Sequence, residues 1–387
     1  MAVAEGFDDR AAPRRTTWWD RVLAGRDRLL ASAAFQRWAS AFPLTRPIAR
    51  RRVRELFDLC AGFVYSQVLH ACVRLRLLET LEAGPLDRDA LAARVDLPDE
   101  GLDRLLEAAV ALRLVERRAG GRFGLGALGA AMVRNPGIKG MVDHHAMLYA
   151  DLADPVALLR GDKGGGALER YWGYAGDRDP RDLGSEDVAA YSDLMAASQS
   201  FIADEVIAAY PFARHRRLLD VGGGDGTFVR AVAAAVPKLE LDLFDLPAVA
   251  ATAARRFAAA GVAARTHGGS FFDDALPSGA DVVTLVRVVH DHDDADVLTL
   301  LRAVRRAIAP GGTLVVAEPM AGTKGAEPIG AAYFGFYLWA MGSGRARTPA
   351  ELADLLERAG FAHPRLRRTR RPLLVRLMEA HPAPGAL

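Results

Sequence analysis

The stretch Leu218-Leu-Asp-Val-Gly-Gly-Gly-Asp-Gly-Thr-Phe228 constrains the fold more than any other. A short apolar run ends in an acidic residue, and Gly222, Gly224 and Gly226 then fall at every second position. A helical pattern from Phe228 to Val236 follows at once. That order predicts a strand, a tight glycine turn and a helix N-terminus, a geometry that lets backbone N–H groups approach a ligand closely. The dinucleotide fingerprint G-x-G-x-x-G would need glycine at 227, where Thr227 stands. A glycine-rich turn can also be purely structural, so the residues after it decide between the two readings.

Those residues alternate strand and helix. Leu239 to Phe244 predicts a second strand ending in Asp245, 25 residues after Asp220. An acidic residue there can take two ribose hydroxyls, or cap the next helix through Asp245-Leu246-Pro247. Ser270-Phe271-Phe272-Asp273 falls where a third strand would end, and an aromatic face with a carboxylate suits an adenine ring and its amino group. The continuous run Asp281 to Val289 predicts a fourth strand ending in His290, followed by Asp291-His292-Asp293-Asp294 and a helix from Ala295 to Ile308. Strand C-termini face the ligand crevice in open α/β sheets, and a histidine there can act as a general base near neutral pH. Asp293 and Asp294 read as caps of the following helix. Consecutive residues rarely converge on one ion, so no metal site is expected. Pro310-Gly-Gly turns into a fifth strand, Thr313 to Ala317, ending in Glu318, which could accept the other imidazole N–H and hold its tautomer. Residues 206–387 are expected to form a doubly wound parallel sheet.

The N-terminal part differs. Residues 10–54 hold 12 arginines against two aspartates, and three of the five tryptophans, Trp18, Trp19 and Trp38. Such an arm suits packing on a partner subunit, interfacial contact with anionic lipid, or nucleic-acid binding. Leu56 to Leu81 is helical and apolar almost all round, so burial against other helices or a second subunit is expected. Asp87 to Asn135 reads as helix, turn, helix and a small β-wing around Gly120-Gly121. A winged helix invites DNA binding, but between Pro98 and Val115 four acidic residues stand against two arginines, the wrong balance for a helix along phosphates. The whole-chain net charge of only +2 adds no nucleic-acid field. Met141 to Arg160 predicts a helix broken near Pro155, on which His144 and His145 point about 100° apart and do not chelate one metal easily. Gly164 to Gly166 and Tyr171 to Gly173 read as loop, and Ser185 to Tyr210 as a helix. Cys60 and Cys72 make neither a metal spacing nor a disulfide framework, so a reduced, cytoplasmic compartment is expected. No uninterrupted apolar run approaches about 18 residues, and no membrane span or secretory signal is expected.

Asp220 to Gly226, spaced Asp-x-Gly-x-Gly-x-Gly, resembles the first motif of class I S-adenosylmethionine (SAM) methyltransferases. With Asp245, Leu285-Val-Arg-Val-Val-His-Asp, Pro310-Gly-Gly, Glu318 and Arg347-Thr348, the chain resembles the small-molecule O-methyltransferase family, which includes plant phenolic and hydroxyindole enzymes. The resemblance implies a Rossmann-like SAM domain preceded by a helical, winged-helix dimerisation domain, hence a homodimer. It implies His290 as base and Glu318 as its orienting partner. It places Asp220, Gly222, Gly224, Gly226, Asp245, Leu246, Phe272, Asp273 and Arg287 around the cofactor. His145, Met147, Tyr149, Phe334, Tyr337 and Met341 are implied to line the acceptor pocket. Many phenolic members carry a second glutamate just before the Arg-Thr pair, where Ala346 stands here, so His290 has Glu318 alone or another residue substitutes. The implied division is a basic arm (1–54), a dimerisation and lid domain (55–205) and a methyltransferase domain (206–387).

Within the family, the chain is similar over roughly residues 18–380 to bacterial carotenoid hydroxy-methyltransferases of the spheroidene pathway. Phe35-Gln-Arg-Trp-Ala, Phe42-Pro-Leu-Thr-Arg-Pro, Phe63-Val-Tyr-Ser-Gln-Val-Leu and His144-His-Ala-Met-Leu-Tyr-Ala-Asp-Leu carry that similarity. The expected activity is methylation of a tertiary carotenoid hydroxyl, with the arm touching the cytoplasmic face of an anionic membrane. The alternatives are a phenolic, hydroxyindole or bacteriochlorophyll-type methyltransferase, and, from another class, a winged-helix DNA-binding regulator that senses SAM.

Overall fold

A computed structural model of the chain describes residues 17–161, 165–172 and 199–385. The chain divides into two compact units, one up to Ala71 and one from Cys72 onward. The first unit is helical: Trp18–Ala31, Ala33–Ala41 and the start of Arg46–Arg74. Thr17 opens the first helix with a capping box, its hydroxyl accepting from the Asp20 N–H while the Asp20 carboxylate accepts from the Thr17 N–H at 2.6 Å. This helix buries none of its residues. Trp18, Trp19 and Trp38 are all more than half exposed, and the first two stack at 4.1 Å between ring centres.

Arg46–Arg74 runs unbroken through residues 54 and 55, where the sequence reading ends the arm. Pro47 does not interrupt it, because in a first turn the missing N–H has no intrahelical partner anyway. The expected burial of Leu56 onward is not met within one chain: Leu56, Phe57, Leu59 and Phe63 are between 61% and 82% exposed. By length and composition the helix could also cross a bilayer, with mean hydropathy 1.4 over 18 residues, although the sequence holds no uninterrupted apolar run of that length. Averaging over a window tolerates Asp58 and the polar Ser66-Gln67 pair, which a search for unbroken runs does not.

In the second unit, Leu77, Leu78 and Leu81 are buried. Arg88–Ala92, capped by Asp87, and Asp99–Ala111 form the two expected helices; the second buries the stripe Leu102, Leu105, Leu106 and Ala109. Strand β1 (Val115–Arg117) pairs antiparallel with β2 (Phe123–Leu125) as the wing. Pro136–Asp151 and Pro155–Leu159 are the helix and its continuation past the expected break. Ala167–Tyr171 is a short helix, so Tyr171 ends a helix and does not begin a loop. Residues 199–209 are helical; the expected helical residues 185–198 and the loop residues 164 and 173 lie outside the described ones.

A seven-stranded sheet follows: β3 (Arg217–Val221), β4 (Glu240–Asp245), β5 (Ala264–Gly268), β6 (Val282–Val286), β7 (Thr313–Glu318), β8 (Phe361–Arg367) and β9 (Arg376–Pro382). The order is β5-β4-β3-β6-β7-β9-β8, with β3 to β7 parallel and β9 antiparallel to both neighbours. The sheet is therefore mixed and not parallel throughout as expected, because β8 and β9 return through a hairpin and need no crossover helix. Alternate residues face opposite layers. Leu219, Val221, Val283 and Leu285 pack with helices Asp294–Ala307 and Pro349–Arg358. Leu218, Leu241, Leu243 and Val282 pack with Thr227–Ala235 and Pro247–Ala260. Burial on both faces explains why β6 reads as an unbroken apolar run.

Candidate active site

The strand order reverses between β3 and β6, and a ligand crevice is expected at such a switch point, outside the strand C-termini. The glycine turn after β3 and the His290 segment after β6 both lie there. Gly222, Gly224 and Gly226 have φ of 70°, 58° and 79°, which side-chain-bearing residues rarely adopt. A Cβ at Gly222 would meet Val288 at 2.7 Å, and one at Gly226 would run into the Phe257 ring. These two glycines serve packing, whereas nothing lies within 4 Å of a Cβ at Gly224. The open face of the turn is thus at Gly224.

Asp245, at the end of β4, accepts the Gly224 N–H at 2.7 Å on one oxygen and the Leu246 N–H at 2.7 Å on the other. Burial pushes its carboxyl up to about 6 against those two hydrogen bonds. Asp220 is buried at 1% exposure and accepts the Thr284 hydroxyl at 2.6 Å. Burial raises it to about 7, with the Asp245 charge adding to the effect. Thr284 is the polar residue inside β6, a signal legible in Asp-Val-Val-Thr-Leu-Val that the sequence reading passes over. Phe272 stacks edge-on to Phe271 and to His292 at 4.6 and 5.5 Å, and is 38% exposed; Asp273 sits beside it, exposed, in the turn after β5.

Strand β6 stops at Val286, three residues before the expected end. Arg287 takes φ 60°, and the Val288 and Val289 N–H groups donate to the Glu318 carboxylate at 2.9 and 2.7 Å instead of to a ladder. The resulting turn, Val289–Asp291, carries His290. His290 Nδ1 donates to the other Glu318 oxygen at 2.6 Å, so in the neutral ring Nε2 is the free base. Glu318 itself is 4% exposed and satisfied by three donors. Asp291 Oδ1 lies 3.2 Å from Nε2, facing the nitrogen that would take up a proton. Asp291 thereby supplies a second carboxylate in a chain that has Ala346 at the family's position. The sequence reading gives Asp291 no role. Burial favours neutral His290, yet the charges of Asp291 and Glu318 outweigh it and the net shift is upward.

Arg347, 4% exposed, clamps this turn: it donates to the carbonyls of Val289 and His292 at 2.7 Å each and to Asp294. Asp293 is the N-cap of its helix as expected, but its carboxylate accepts the Gly344 N–H at 3.1 Å and makes no cap hydrogen bond; Asp294, in the first turn, pairs with Arg345 and Arg347. Arg287 directly follows β6, and its charge opposes protonation of His290 and favours ionised Tyr333 and Tyr337.

Past His290, Phe334 contacts its ring edge-on at 5.9 Å and Tyr333 follows at 5.2 Å from Phe334. The two histidines of helix Pro136–Asp151 diverge as expected and each meets a different tyrosine: His145 Nε2 and Tyr333 Oη at 2.8 Å, His144 Nε2 and Tyr337 Oη at 2.6 Å. Trp172 also donates to Tyr337 at 2.9 Å. Burial lowers His144 to about 4 and raises Tyr333 to about 12. Tyr149 packs edge-on to His145 at 6.1 Å, and Met147 and Phe334 pack against a buried apolar cluster of Leu148, Leu158, Leu168, Trp172, Tyr337 and Leu338. Met341 is fully buried inside that cluster.

Two family models match the chain, an O-methyltransferase dimerisation domain over residues 57–135 and an O-methyltransferase domain over residues 149–362. The demethylspheroidene O-methyltransferase of Cereibacter sphaeroides is 46% identical over 341 residues, covering 87% of this chain and 88% of that one. The Rhodobacter capsulatus enzyme of the same name is 44% identical, with 87% and 84% covered. Among solved structures, human N-acetylserotonin methyltransferase in complex with SAM aligns with a TM-score of 0.70 at 25% identity, covering 86% of this chain and 98% of that one. A histidine–carboxylate pair on the switch-point turn of a mixed sheet, behind a dimerisation domain, accords with these matches: the chain belongs to the O-methyltransferase family.

Proposed function

We propose that this protein transfers a methyl group from SAM to the tertiary hydroxyl of a 1-hydroxycarotenoid. The His290–Glu318 pair carries the chemical half of this reading. The high identity to two demethylspheroidene O-methyltransferases supports the acceptor.

The residues present fit the cofactor. Gly224 leaves an open face on the turn, and the Asp245 carboxylate stands fixed beside it with lone pairs for ribose hydroxyls. Asp220, Leu246, Phe272, Asp273 and Arg287 complete the set proposed around it. When bound, SAM supplies a methyl already activated by its sulfonium. The protein's tasks are to align the acceptor oxygen and to remove a proton. An aliphatic alcohol is a poor acid, so His290 Nε2 takes the proton as the new C–O bond forms. Glu318 holds the ring through Nδ1–H, and Asp291 stabilises the imidazolium beside Nε2. His145, Met147, Tyr149, Tyr333 and Phe334 are the proposed acceptor wall, with Tyr337 and Met341 behind them. The aromatic and aliphatic side chains suit a long apolar molecule.

A carotenoid has negligible aqueous concentration and must be collected from a membrane. Residues 10–54 pair ten net positive charges with three tryptophans, and we propose that this arm touches an anionic bilayer from the cytoplasmic side.

The activity is tested by incubating purified protein with labelled SAM and a panel of hydroxycarotenoids, phenols and bacteriochlorophyllides. Label entering a methoxy end group of the carotenoid is the expected result. Turnover confined to phenols would remove the carotenoid reading and leave the O-methyltransferase standing.

A further inference from the structure

The hairpin joining β8 to β9 carries more positive charge than its packing uses. Residues 363–376 contain six arginines and no acidic residue. Arg367 pairs with Glu379 at 2.8 Å, and Arg371 meets Glu205, its N–H donating at 2.9 Å. Arg376 reaches the Thr323 hydroxyl at 3.4 Å. Arg365, Arg368 and Arg370 are exposed and have no acidic partner among the described residues. Between the arginines, Leu366, Leu373 and Leu374 are 42–46% exposed. Basic residues deter pairing at an edge strand, which accounts for Arg365 and Arg367 within β8. It does not account for Arg368 and Arg370 beyond the strand's end, nor for the leucines.

The register places the hairpin's tip. Arg376, the first residue of β9, pairs with Glu318, the last of β7. Residues 368–375 therefore project past the same edge of the sheet on which the His290–Glu318 pair sits. We infer that this hairpin is a second membrane contact, built into the catalytic unit, which lays an anionic bilayer surface against the open edge of the sheet. Arginines flanking exposed leucines suit anionic headgroups over an apolar layer. Nucleic acid would match the charge but leave the leucines in water. The value of this placement rests on the lipophilic-acceptor reading, since it shortens the acceptor's route from bilayer to base; the contact itself does not.

The test uses the full chain with its arm intact. Binding is measured to vesicles of phosphatidylcholine with about a third phosphatidylserine, and to phosphatidylcholine alone. Each arginine near an anionic surface is worth about fivefold in affinity, so Arg368→Gln with Arg370→Gln should weaken anionic-vesicle binding about 25-fold. Affinity for SAM should stay within twofold, which shows that the variant is folded. A second measurement separates hairpin from arm: a polarity-sensitive fluorophore on Leu373→Cys, in a Cys60→Ser background, should shift to the blue on anionic vesicles and not on neutral ones. If the label stays in water while the protein binds vesicles, the arm alone attaches and the inference falls. It falls equally if the arginine pair leaves vesicle binding unchanged, or if single-stranded RNA at equal charge protects the label better than vesicles do. Failure of the carotenoid reading would appear in the substrate panel and leave these readouts untouched.

Discussion

His290 is held between two carboxylates, each acting on a different nitrogen. Replacing it with Ala should leave SAM affinity within a few-fold and lower turnover about 10²–10⁴-fold, measured in single-turnover assays with detergent-dispersed acceptor. Turnover near wild type would remove it as the base. Because its pKa is raised above 6.5 and the proposed base acts as the neutral ring, turnover should climb as pH rises through that raised value. The protonated ring's contribution to stability has the opposite course: it is complete below the unfolded value and is lost as pH rises through the folded one. Glu318→Gln keeps a hydrogen-bond acceptor but loses the charge, so the pH profile should move toward acid while a larger share of turnover survives than in His290→Ala. Asp245 holds the glycine turn and is the residue proposed to take the ribose hydroxyls. Asp245→Ala should weaken SAM about 10–150-fold by calorimetry, the loss of a charged hydrogen bond. Unchanged affinity would place the ribose elsewhere. These residues were legible because each follows a strand whose end the apolar pattern marks. Asp291 and Arg347 are not legible as functional, since the turn that presents Asp291, and that Arg347 clamps, is set by the Glu318 carboxylate, 27 residues beyond Asp291.

At the scale of elements, β4 shows how a strand in this sheet carries charge. Asp242 is fully buried and accepts from Arg217, Arg265 and His267, all near 2.8 Å. Burial works against the anion, and the two arginines and the histidine overcome it, so the carboxyl is held well below its usual range. A lowered folded value means that the contribution to stability is present above the unfolded pKa of 3.8 and is lost as pH falls through the folded one. Asp242→Ala should cost about 3 kcal/mol at neutral pH, the low end for a broken buried pair because Arg265 is half exposed and solvent screens it. In urea titrations the variant should converge toward wild type as pH falls below about 4. A loss that stayed constant down to strongly acidic pH would mean that the cavity, not the charge, causes it. Elements with one period and one cap were read closely from the chain: Asp99–Ala111, Asp294–Ala307 and the wing fall within a few residues of expectation. The end of β6 was not. Val288 and Val289 prolong the apolar run in sequence, yet Arg287 turns left-handed and brings their N–H groups to Glu318.

For the whole molecule, the exposed apolar face of Arg46–Arg74 coincides with the dimerisation domain that begins at residue 57. Light scattering at micromolar concentration should give about twice the 41.6 kDa chain mass. Leu59→Glu with Phe63→Glu should shift the protein toward monomer. A monomeric wild type would instead leave that face for a bilayer, which its hydropathy would permit. The arm should be truncated before residue 44, since a cut at 54 would divide a continuous helix. Removing residues 1–43 should lower binding to anionic vesicles and slow methylation of vesicle-embedded carotenoid more than of detergent-dispersed carotenoid. Rising salt should weaken wild-type attachment. Undiminished pelleting of the truncated chain would make the arm a packing element.

The sequence by itself determined the parallel core, the glycine turn, the His290 and Glu318 positions and the wing, because each depends on residues adjacent in the chain and on a periodicity of two or 3.6. Tertiary structure alone decided three further things. It decided which glycines serve packing and which faces open space, since Val288 and Phe257 approach Gly222 and Gly226 from distant segments. It brought Asp291 to the free nitrogen of His290 and Arg347 onto the catalytic turn. It also set the basic β8–β9 hairpin at the catalytic edge of the sheet, because an antiparallel register with β7, and not spacing along the chain, determines where that tip lies.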